Sequence, residues 1–84
     1  MVASPAWLTP AAERLARLYD LTTAEARLWS GLIDGATLAE IAARHRVSIN
    51  TLRVQLGRLF RKVGVHRQAD LVRRALELKI SADG

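Results

Sequence analysis

The chain has 84 residues, half of them apolar, with a formal net charge of +5 and no cysteine. That length makes one small domain with little room for a buried catalytic cavity, and the missing cysteines rule out a disulfide frame or a cysteine-based metal site. No apolar stretch approaches the roughly 18 residues that cross a membrane. The first ten residues do not follow the pattern of a signal peptide, so a cytoplasmic protein is expected. Alanine, leucine and arginine dominate, and all three favour helix. Both prolines fall within the first ten residues, and no β-branched run alternates with polar residues, so the fold class expected is all-α.

Five helices can be placed in chain order. Thr9 can cap a first helix whose opening position is Pro10, where the missing N–H costs nothing. It is expected to reach about Tyr19 with Leu15 and Leu18 inward. The second opens with the capping box Thr22-Thr23-Ala24-Glu25. Its apolar face is Leu28, Trp29, Leu32 and Ile33, and Gly35 stands where a left-handed residue ends a helix. A second box, Thr37-Leu38-Ala39-Glu40, opens a third helix that runs to about Arg44. Only His45-Arg46-Val47 then precede the next start signal at Ser48, so the third and fourth helices must cross steeply, as in a helix-turn-helix unit. The fourth runs from Ile49 to Val63. Gly64 is its left-handed cap, and Val65 can fold back on the last turn. The fifth starts near Gln68 and is expected to reach about Lys79, with a frayed tail from Ser81 to Gly84.

Charge is unevenly distributed. No acidic residue stands between Glu40 and Asp70, a window that holds Arg44, Arg46, Arg53, Arg58, Arg61, Lys62 and Arg67. Such a segment is suited to a polyanion, or else is a solvated basic face with no partner. At 100° per residue, Leu52, Leu56, Leu59, Phe60 and Val63 form one arc of the fourth helix, its core face. Asn50, Val54, Gly57, Arg58 and Arg61 lie opposite, with Thr51 and Arg53 on the flanks. Arg53 can donate two hydrogen bonds to a guanine edge, and Arg58 and Arg61 are better placed for phosphate. Val54 can meet a thymine methyl group or be an ordinary exposed valine. Ser48 caps the helix, whose free N–H groups can also hold a phosphate. Mid-helix Gly57 costs about 1 kcal/mol relative to alanine. It can let the helix approach DNA closely or be a small residue without a role.

Five blocks then fall in order and in register: Leu21-Thr22-Thr23-Ala24-Glu25-Ala26; Asp34-Gly35-Ala36-Thr37-Leu38-Ala39-Glu40-Ile41-Ala42; Val47-Ser48-Ile49-Asn50-Thr51-Leu52-Arg53; Lys62-Val63-Gly64-Val65; and Gln68-Ala69-Asp70-Leu71-Val72. Together they resemble the LuxR-type (GerE-type) helix-turn-helix domain over Leu21 to about Leu78. The resemblance implies a four-helix DNA-binding domain at 21–80, preceded by a lead and one extra helix at 1–20. The implied protein is a bacterial transcription regulator acting on double-stranded DNA at the nucleoid. The helix at about 48–63 would enter the major groove, with Arg53, Val54 and Gly57 facing bases. Thr37, Leu38, Ser48, Thr51, Arg58 and Arg61 would lie at or near the backbone. The last helix would form a homodimer seam through Ala69, Val72 and Leu76. RNA polymerase, or a sensor or receiver domain not contained in this chain, is a further partner of that reading.

The chain departs from the family at Gly57 and at Leu38, where basic or polar residues are usual. It departs again at His45-Arg46, where Leu-Gly is usual. Arg46 is thereby expected in a left-handed conformation, and His45 in place of a core leucine. Two other readings compete: a sigma-factor region-four-like DNA-binding domain, and a small helical protein-interaction module. An enzyme is not expected. His45 and His66 lack carboxylate or cysteine partners, and the sequence holds no zinc ligand set, phosphate loop or nucleophile motif. No cofactor is expected.

Overall fold

Four helices begin on a hydroxyl side chain that accepts a backbone N–H three residues on. In the computed structural model, which describes residues 5–83 and the side chains of residues 5–78, Thr9 opens α1 (Pro10–Leu18) and Thr22 opens α2 (Thr23–Ile33). Thr37 opens α3 (Leu38–His45), and Ser48 opens α4 (Ile49–Val63). The caps measure 3.0–3.2 Å. In α2 and α3 the box is complete, because Glu25 and Glu40 accept from the cap residues' own N–H groups at 2.9 and 3.0 Å. α5 (Gln68–Asp83) follows. Among the described residues no strand occurs and no helix is long and apolar enough to cross a membrane.

The same four helices end alike. A residue at positive φ follows each: Asp20 (54°), Gly35 (90°), Arg46 (56°) and Gly64 (82°). The next residue's N–H then reaches back to the carbonyl five positions earlier. These bonds are Leu21 to Ala16, Ala36 to Gly31, Val47 to Ala42 and Val65 to Phe60, at 2.8–3.1 Å. This is the Schellman closure, which satisfies carbonyls the helix leaves open. Glycine adopts that conformation freely, whereas Asp20 and Arg46 do so at some cost. The left-handed Arg46 agrees with expectation; Asp20 is an addition to it.

α2 lies at the centre, in contact with α1, α3, α4 and α5. It is buried nearly all round, at Glu25, Ala26, Leu28, Trp29, Ser30, Gly31 and Leu32. Trp29, 1 % exposed, donates its indole N–H to the Leu71 carbonyl at 2.9 Å, which ties α2 to α5. Ser30 Oγ donates to the Trp7 carbonyl at 3.0 Å, which ties the N-terminal lead to α2. Leu15, Leu52, Leu56, Leu59, Val63, Val65 and Leu71 complete one shared core.

Three details differ from expectation. Leu18 points outward, 58 % exposed; α1 buries Ala12 and Leu15, and one turn of apolar stripe suffices against α2. Ile33 is only half-buried, because it is the last residue of α2 and packs at the edge of the core. α5 continues past Lys79 to Asp83, since 79–83 contain no residue that stops a helix.

Candidate nucleic-acid interface

α4 is anchored along one side and open along the other. Leu52, Leu56, Leu59 and Val63 are buried and Phe60 is half-buried against the core. Asn50, Thr51, Arg53, Val54, Arg58 and Arg61 are exposed, and Gly57 is half-exposed. Among the described residues, Arg53, Arg58 and Arg61 take part in no ion pair. The open side thus carries three unneutralised guanidinium groups, each with five donors in a fixed fork, around Val54 at 57 % exposure. A Cβ built on Gly57 would meet nothing within 4 Å, so internal packing does not require glycine there.

The hydroxyls at the helix starts are already committed. Ser48 Oγ accepts from the Thr51 N–H at 3.0 Å and lies 2.9 Å from Thr51 Oγ1. Thr37 Oγ1 accepts from the Glu40 N–H at 3.1 Å. Hydrogen bonds from the Thr37 backbone N–H and then its hydroxyl hold the Glu40 carboxyl below its usual range. What these positions offer an incoming phosphate is mainly the open N–H groups of the first turn. Leu38 is half-buried and packs against the core, so much of its side chain is turned away from any ligand. On α5, Ala69 and Leu76 are exposed and Val72 is half-buried. Leu76 also rims an apolar groove of about 330 Å³ with Pro10, Ala11, Leu15, Ile33 and Leu78.

Sequence reasoning counted Lys62 in the basic window, but its charge is consumed inside the protein. Its Nζ donates to Glu25 Oε1 at 2.6 Å and to the Asp20 carbonyl at 3.0 Å. Glu25 is 3 % exposed at its side chain. Burial alone would raise its pKa. The hydrogen bond from Lys62, the Thr22 backbone N–H and the lysine's charge outweigh burial and leave the carboxyl below its ordinary value. One residue therefore serves as capping-box acceptor and as anchor for α4. Arg67 faces Asp70 at 3.7 Å, which leaves Arg44, Arg46, Arg53, Arg58 and Arg61 as the members of that window in no ion pair among the described residues. Gln55, between the two sides of α4, has a buried amide oxygen without a partner, for which the structure offers no explanation.

His45 ends α3 half-buried. Burial, and then the charges of Arg27 and Arg44, push its pKa below the ordinary histidine value. Among the described residues, no group of three or more histidine, cysteine, aspartate or glutamate side chains is placed to hold a metal ion.

Comparison with the models of known families, with characterised proteins and with solved structures finds no match to this chain.

Proposed function

We propose that the protein binds duplex DNA in a sequence-specific way, as a bacterial transcription regulator in the bacterial cytoplasm, with α3 and α4 as a helix-turn-helix and α4 in the major groove. The observation that carries this reading is the exposed side of α4, which is free of acids and presents unpaired arginines from a helix locked to the core along its other side. The three residues between α3 and α4, and the resemblance of the five sequence blocks to LuxR-type domains, support it. Arg53 and Val54 are assigned to base edges, together with Asn50 near the helix start. Arg58 and Arg61, with the first-turn N–H groups of α3 and α4 near Thr37, Ser48 and Thr51, are assigned to phosphates. Gly57 contributes closeness of approach rather than a contact. The exposed Ala69 and Leu76, with Val72 between them, support a homodimer through α5.

A second reading, a protein-interaction module, is favoured by the apolar groove beside Leu76. Salt separates the two. Phosphate contacts displace counterions, so the log of the association constant should fall linearly with log salt, by about 0.9 for each phosphate engaged. Fluorescence anisotropy with labelled duplex, repeated across salt concentrations, reads this slope. Arg58→Ala should weaken binding to all sequences alike and reduce the slope by about 1. A flat salt response would favour the interaction module.

A further inference from the structure

The lead before α1, the middle of α2 and the end of α3 enclose a second recess, of about 320 Å³, lined by Ala6, Trp7, Arg27, Asp34, Arg44 and His45. It contains no residue of α4 and is separate from the surface assigned to DNA. Its size lies at the lower end for sites that hold small molecules. We propose that it binds a small organic anion, the carboxylate or phosphate held between Arg27 and Arg44 and the apolar part laid against Trp7.

Two observations point to an anion. First, neither arginine has an ion-pair partner within 4 Å among the described residues, although Asp34 stands on the same wall. The recess therefore holds two cationic forks whose donors are open to a ligand. Second, after burial, Arg27 from α2 and Arg44 from its own helix both lower the His45 pKa, and the carboxylate on the same recess is Asp34. The lead contributes no charge through Ala6 or Trp7. Two cations against one carboxylate thus line the recess, an excess of positive charge that suits an anion. The half-buried Trp7 is held in place, its carbonyl fixed by Ser30. It supplies an apolar ring beside the charges, the usual composition of a small-ligand pocket.

His45 reports occupancy directly. The experiment follows the ring-proton resonances of His45 and His66 against pH in the full chain. Phenyl phosphate, benzoate, inorganic phosphate or sodium chloride is added at matched ionic strength. The account predicts that phenyl phosphate or benzoate raises the His45 pKa by about one unit, the effect of an opposite charge placed nearby. Inorganic phosphate should act only at higher concentration, chloride should act by screening alone, and the exposed His66 should move little. Arg44→Gln, at an exposed position, should abolish the ligand-specific shift while the spectrum stays that of the folded chain. The proposal is overturned if His45 and His66 shift alike, if Arg44→Gln leaves the shift unchanged, or if inorganic phosphate matches the ring-bearing anions. None of these outcomes depends on DNA binding.

Discussion

At the scale of the residue, Gly57 and His45 make opposite kinds of demand. Gly57 sits mid-helix with open space where a Cβ would go. Alanine should therefore stabilise the free protein by about 0.5–1 kcal/mol, read from denaturant or thermal melts. A loss of DNA affinity in the same variant would show that DNA approaches the backbone at this position; unchanged affinity would leave glycine without a role there. His45 should appear in the pH dependence of stability. Its folded pKa lies below the ordinary 6.5, so the unfolded chain takes up the proton first. Stability should be fully present above about pH 6.5 and fall as pH drops towards the folded value. Glu25 and Glu40 also have depressed pKa values. Their contribution is present above about pH 4.5 and lost at more acidic pH, so the two windows are distinct. Melts of His45→Gln should lack the upper window and keep the lower one.

At the scale of the element, the boundaries were legible because helix starts and stops are written locally. Thr9, Thr22, Thr37, Ser48 and Gly64 act through neighbours three to five residues away, and each does what its position in the sequence implies. The outward side of α4 was legible for the same reason, since one periodic apolar stripe fixes the opposite side. What escaped depends on how the elements meet. Lys62 counts in the basic window of the sequence, yet it reaches Glu25, 37 positions away. Leu18 was read as core, yet α1 needs only its first two turns against α2. Gly31 drew no attention at all. A Cβ there would stand 2.8 and 2.9 Å from two side-chain carbons of Ile41, itself 1 % exposed, so α2 and α3 approach closely because glycine leaves room. Gly31→Ala should destabilise the protein by about 1–3 kcal/mol through overpacking, less up to about 1 kcal/mol of gained helix propensity. A variant as stable as the parent would mean that Ile41 repacks freely.

At the scale of the whole molecule, the architecture divides labour between faces. α2 supplies the hub, α4 turns arginines outward, and α5 presents Ala69, Val72 and Leu76. If α5 pairs two copies as proposed, the two α4 helices have to lie about 34 Å apart to reach successive major grooves. The central claim is that α4 reads sequence as well as charge. The most direct test is selection of bound sites from random duplex DNA, carried out in parallel with the parent chain and with Arg53→Ala. The account predicts enrichment of a defined site, arranged as an inverted repeat if α5 pairs two copies. In Arg53→Ala, preference should be lost at one guanine position and affinity should fall by about 1–3 kcal/mol. A pool that stays random after repeated rounds, or an Arg53→Ala protein that selects the same site with equal affinity, would contradict it.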